Sequence, residues 1–209
     1  MAGIVESWAN FREAFQEEMK EIGLWEQESV RDLGRRLAVA AEYISHQVSP
    51  SYNEHFATLI HGDYKALNVF LAHKEEDAAV LVDFASAGVG LGLSDVAMHV
   101  HHAVVPEQLE NGGEEALVKY YWQTLTSELT NPASYPWETA LRHYRMAVVD
   151  YGRFFMARMW KSATPATMLK KKDNKNVNLI NRSPPAAMAF VRRLDVYLSE
   201  IEKEMANNK

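Results

Sequence analysis

The sequence contains no cysteine. A disulfide framework, an iron–sulfur cluster, a thiolate zinc site and a cysteine nucleophile are therefore excluded. Glycine (10) and proline (7) are too sparse in 209 residues for a fibrous or low-complexity chain. Long apolar runs are missing too, with nothing near the roughly 18 consecutive residues of a membrane span. Residues 1–20 carry Glu6, Glu13, Glu17 and Glu18, where a signal or transit peptide would be apolar or basic. These absences predict a soluble, cytoplasmic protein of one domain that needs no membrane.

Charge is unevenly spread. Residues 1–150 hold 23 acids and 10 bases, residues 151–209 hold 5 acids and 12 bases, and the net charge is −6. An acidic chain argues against nucleic acid as a partner. The run Lys170-Lys171-Lys172-Asp173-Asn174-Lys175 reads as a solvated loop, with an anion-facing role as the sharper alternative.

What is present is mostly helical periodicity. Val5, Trp8, Phe11, Phe15, Met19 and Ile22 step by three and four until Gly23, predicting one amphipathic helix. Val30, Leu33, Leu37, Ala41, Ile44 and Val48 predict a second, closed by Pro50. Between 57 and 84 the texture changes to short apolar runs, 58–60, 69–71 and 79–82, which predict three strands. The polar tract His73–Asp77 is the expected hairpin turn between the last two. A glycine-rich loop (Gly88, Gly90, Gly92) follows, then a helix N-capped by Ser94 and ended by Pro106. Helices are expected over about 114–129, 136–160 and 185–205, with 162–184 a loop holding at most a short helical turn. The fold class is α+β, mostly α.

The chemistry-bearing residues cluster in the strand-rich window. Leu59-Ile60-His61-Gly62-Asp63-Tyr64-Lys65-Ala66-Leu67-Asn68-Val69-Phe70-Leu71 is a polar loop between two apolar strands, and Leu81-Val82-Asp83-Phe84 ends another strand with a second carboxylate. A hairpin brings Asn68 and Asp83 together as oxygen ligands suited to Mg²⁺, while Asp63 stands nearby as a base. Phosphoryl transfer needs that layout: metal to offset phosphate charge, and a carboxylate to orient and deprotonate the attacking hydroxyl.

His61-Gly62-Asp63-x4-Asn68, then Asp83-Phe84, then Gly90-Leu91-Gly92-Leu93-Ser94-Asp95-Val96-Ala97, resembles the aminoglycoside phosphotransferase and choline-kinase-like kinases. It is most similar to their ecdysteroid-kinase-like (CHK) branch. The resemblance runs from about 57 to 105 and implies a protein-kinase-like C-terminal lobe, using ATP and Mg²⁺ on a small-molecule hydroxyl acceptor. By position, Asp63 resembles the catalytic aspartate and Asn68 and Asp83 the metal-binding pair. His61 resembles the structural histidine of the catalytic loop, and Asp95 a buried aspartate that anchors it. Protein kinases carry Arg after that His and Gly after Asp-Phe; here Gly62 and Ala85 stand there, favouring a small-molecule kinase.

No phosphate-covering loop and no lysine-bearing strand precede His61, so the chain reads as that lobe alone, N-terminal lobe absent. It is expected to span 1–209, with its catalytic and metal-binding segment at 57–97 and a helical acceptor region over about 106–205. Because positioning supplies most of such catalysis, activity of the chain by itself is expected to be weak. The alternative is a non-catalytic, pseudokinase-type binding or regulatory remnant, distinguished by indifference to Mg-ATP. Weaker signals have plainer explanations. Gly88-Val89-Gly90-Leu91-Gly92 lacks the third glycine of a dinucleotide fingerprint. His99 and His102 share a helix face without a further zinc ligand. Asn181-Arg182-Ser183 is an accidental sequon. Tyr144, Tyr151 and Phe155 have the spacing of one face, with core packing favoured over a cation–π cage.

Overall fold

The computed structural model describes residues 2–71 and 79–207. The expected turn at His73–Asp77 lies outside the described residues. Among the described residues ten α-helices carry most of the chain: α1 (Ala2–Ala14), α2 (Gln16–Glu21), α3 (Glu28–Arg31), α4 (Leu33–Gln47), α5 (Gly92–Ala103), α6 (Pro106–Leu109), α7 (Gly113–Ser127), α8 (Trp137–Phe154), α9 (Pro165–Leu169) and α10 (Pro184–Asn207). α8 is the central strut, packed against α4, α5, α7 and α10.

Four of the six positions in the apolar stripe of the first segment are buried, while Val5 (44% exposed) and Ile22 (36%) face solvent. Trp8, Phe11, Phe15 and Met19 all enter the core, Phe11 lying 4.2 Å from both Phe15 and Trp160, ring centre to ring centre. That segment is two helices rather than one, because the chain bends at Phe15 while the Phe15 N–H to Phe11 O and Met19 N–H to Phe15 O bonds persist. Arg36 of α4 pairs with Asp195 and Glu202 of α10, stapling the N-terminal helices to the last one.

Among the described residues four short strands form two antiparallel pairs. β1 (Ala57–Ile60) pairs with β4 (Gly88–Leu91), and β2 (Val69–Leu71) with β3 (Ala79–Leu81). The β2–β3 pair is nested in the chain between β1 and β4, so the two connections, 61–68 and 82–87, run side by side. β4 corrects the expected glycine-rich loop. Gly90 serves packing: a Cβ there would stand 2.6 Å from the Ile60 side chain across the pair, whereas one on Gly88 would meet nothing within 4 Å.

Two further expectations need correction. α5 starts at Gly92 with Leu91 at its N-cap position and no side-chain cap, so Ser94 lies inside the first turn. α5 also ends before Pro106, which opens α6 instead of closing a helix, as proline at a first helical position can. The expected loop over 162–184 holds α9 and a 3₁₀ turn at Leu179–Asn181. Among the described residues no helix is long and apolar enough to cross a membrane.

Candidate functional site

The connection 61–68 is held along its length by one face of α5. Asp95 of the first turn accepts hydrogen bonds from the His61 N–H (2.7 Å) and the Gly62 N–H (3.0 Å). One turn on, His99 donates through Nδ1 to the Tyr64 carbonyl (3.2 Å), and at the next turn His102 Nδ1 receives the Ala66 N–H (3.4 Å). Positions 95, 99 and 102 follow the i, i+4, i+7 spacing that puts three side chains on one helix stripe. They meet successive backbone groups of the loop. This accounts for the two histidines without metal, and among the described residues no group of three or more His, Cys, Asp or Glu is placed to hold a metal ion.

The loop is also joined to the parallel-running connection 82–87. His61, 5% exposed, receives the Asp63 N–H at Nδ1 (3.3 Å) and so donates from Nε2 to the Val82 carbonyl (2.8 Å). The Val82 N–H returns to the Asn68 carbonyl (3.1 Å). Gly62 sits at φ +75, and a Cβ there would stand 2.2 Å from the Ser86 carbonyl oxygen. A non-glycine residue would meet both a backbone penalty and a backbone collision.

Inside this frame Asn68, 5% exposed, donates its amide to the Asp63 carbonyl (2.9 Å) and carboxylate (3.2 Å). Its side-chain oxygen is left to other partners. Lys65 forms an ion pair with the same Asp63 carboxylate. Asp83 stands apart from this network: it is exposed, makes no hydrogen bond among the described residues, and adopts left-handed backbone (φ 66). That conformation is one aspartate tolerates better than most residues. The fold thus joins His61, Asp63, Asn68 and Asp95 by hydrogen bonds and sets Asp83 one residue beyond the bonded Val82.

Asp63 opens onto a cavity of about 590 Å³, whose lining includes neither Asn68 nor Asp83. Its apolar walls include Met98, Tyr151, Phe154, Phe155 and Met159. Phe154 and Phe155 are sequence neighbours, which a regular α-helix turns to different faces. Both reach the cavity where α8 widens into a π-helical turn over Phe155–Met159. Burial raises the Tyr151 phenol above its ordinary range, with the Asn178 amide opposing and the Asp63 charge reinforcing the shift.

Tyr144 does not join these aromatics. It is buried in the core with its hydroxyl on Glu114 (2.6 Å), so the expected three-residue face divides into a structural tyrosine and a cavity pair. The lysines of 170–175 are exposed, and Arg182 clasps their loop by the carbonyls of Lys172 and Val177 (2.9 Å each). Asn181 is buried against Trp160 Nε1 (3.0 Å), in keeping with an accidental sequon.

Lys65 and the loop-binding roles of His99 and His102 went unassigned in the sequence. A readable signal existed for the histidines in their spacing from Asp95. The available donors, one exposed carboxylate and one amide oxygen, suit a hard cation completed by water and phosphate oxygens. No curated protein and no solved structure matches the chain at a significant level. The model of the ecdysteroid kinase-like family does match, over residues 3–132, and with well over half its length covered the chain belongs to that family.

Proposed function

We propose that this chain is the catalytic lobe of an ATP-dependent small-molecule O-phosphotransferase. The observation that carries the reading is the Asp63 carboxylate, oriented by Asn68 and Lys65 and opening onto an aromatic-lined cavity sized for a small acceptor. An acceptor seated there presents its hydroxyl to Asp63. The acceptor oxygen forms its bond to the γ-phosphorus as its proton passes to an Asp63 oxygen, and ADP departs with the electrons of the broken P–O bond.

Asn68 and Asp83 are the residues that would hold Mg²⁺, which when bound offsets the charge of the nucleotide phosphates. They lie outside the cavity lining that Asp63 joins, which suits a nucleotide approaching from their side and an acceptor from the other. His61 and Asp95 act by positioning. Their hydrogen bonds fix the loop so that Asp63 and Asn68 need no reorganisation when substrates arrive. Two oxygen ligands make a weak cation site without nucleotide phosphates, so turnover by the chain itself is expected to be slow but measurable with excess Mg-ATP.

The test is incubation with Mg-ATP and a panel of small alcohols, with phosphorylated product read by mass spectrometry. Asp63→Asn is expected to lower the rate by about 10²–10⁴-fold, the usual contribution of a positioned general base. A product that forms equally fast with Asp63→Asn, or no product from any alcohol, overturns the proposal.

A further inference from the structure

His102 is 5% exposed, and the cavity that Asp63 and Lys65 also line is where its ring emerges. Its Nδ1 faces the Ala66 N–H, so Nδ1 is the accepting nitrogen and the proton of the neutral ring sits on Nε2. Nε2 has no partner among the described residues, yet it is not sealed in the interior. A donor with no protein partner in a mostly apolar cavity is satisfied by water when the site is empty and by the occupant when it is filled.

The charges around the ring keep it in this state. Burial, then His99, Arg182 and Lys65, push its pKa down to about 4, with Asp63 opposing. The imidazole therefore stays a neutral donor at ordinary pH. Asp63 supplies the complementary function, an acceptor for the reacting hydroxyl's proton. Met98, Phe154 and Phe155 offer the rest of the occupant apolar contact, while Ser94, Asp150 and Asn178 add further polar groups to the lining.

We propose that the Nε2–H of His102 donates a hydrogen bond to a second oxygen of the acceptor, so that the site selects oxygenated alcohols such as diols, hydroxy-ethers and hydroxy-ketones over simple alcohols. The proposal rests on Asp63 receiving the reacting hydroxyl, as in the function proposed above. A simple alcohol of the same shape displaces water from the imidazole and leaves its donor unpaired. That penalty is worth roughly tenfold in binding.

The probes are trans-1,2-cyclohexanediol and cyclohexanol, titrated by NMR into the full chain without nucleotide. The wild-type protein is expected to prefer the diol by roughly tenfold. His102→Phe should erase that preference while still binding cyclohexanol, and His102→Gln, which keeps an N–H donor, should restore much of it. Long-range ¹H–¹⁵N spectra of the wild-type chain should show the Nε2–H tautomer of His102 and a shift of Nε2 on adding the diol, a readout that requires no variant to fold.

The two proposals are separated by their readouts, since the diol preference is read as binding without nucleotide and phosphoryl transfer as product formed with Mg-ATP. A preference that persists when no alcohol is ever phosphorylated sustains this inference while the proposed reaction falls. The inference itself is overturned by an Nδ1–H tautomer, by a diol preference that survives His102→Phe, or by failure of the wild-type chain to bind the diol.

Discussion

Replacing Gly62 with alanine probes the most tightly constrained backbone in the site. The residue adopts φ +75, and the new methyl group would stand 2.2 Å from the Ser86 carbonyl oxygen, over an ångström inside ordinary contact. Left-handed backbone costs a non-glycine residue about 1–2 kcal/mol. Overpacking against backbone adds about 1–3 kcal/mol, since the nearest atoms belong to the Ser86 carbonyl, which cannot swing aside as a side-chain tip can. The sum is about 2–5 kcal/mol. Gly23→Ala is the matched control, with φ +72 and nothing within 4 Å of the new Cβ, so it carries the first cost alone. Urea unfolding of both variants should separate them by about 1–3 kcal/mol, read from the shift in midpoint at unchanged slope. Each kcal/mol should also lower the melting temperature by about 2–4 °C in a domain of this size. A Gly62→Ala variant no less stable than Gly23→Ala would refute the close approach of the two connections.

Stability should decline as pH falls from 6.5 towards 4. Burial, aided by neighbouring positive charge, depresses the pKa values of His102 and His143 from 6.5 to about 4, so the unfolded chain binds protons that the folded one refuses. Their contribution is complete above pH 6.5 and is lost as pH falls through that window; a urea midpoint unchanged between pH 7 and 4.5 would contradict it. Phe11→Ala should cost about 3–5 kcal/mol, because it removes a fully buried ring stacked between Phe15 and Trp160. Calorimetry showing a loss under about 1 kcal/mol would mean that this aromatic stack contributes far less than its burial implies.

Much of the helical part was legible because its cause is local. Trp8, Phe11, Phe15 and Met19 repeat at the helical period, and burying one stripe is what that period accomplishes. The pairing of 69–71 with 79–81 was legible for a similar reason, two short apolar runs joined by a polar tract. β4 was not. Gly88-Val89-Gly90-Leu91 has the composition of a loop, and it becomes a strand only because β1 lies beside it and Ile60 needs the space that Gly90 leaves. Tyr144 and Tyr151 share a spacing and part company because Glu114 stands beside one and the cavity beside the other.

The sequence by itself determined the order and chemistry of the parts: an apolar helical scaffold, a His61-Gly62-Asp63-x4-Asn68 loop, a second carboxylate at Asp83, and Asp95 at the start of the next helix. Tertiary structure alone decided how they meet. Nesting one strand pair inside another laid the two connections side by side, and the face of α5 that carries Asp95, His99 and His102 stitched the first of them in place. The cavity beside Asp63 likewise exists only in the fold. Its walls come from α5, α8 and the segment 176–181, which are distant in sequence and brought together by burial of their other faces. Residue spacing along the chain carries no record of that burial, because contacts between distant segments are set by the whole core at once.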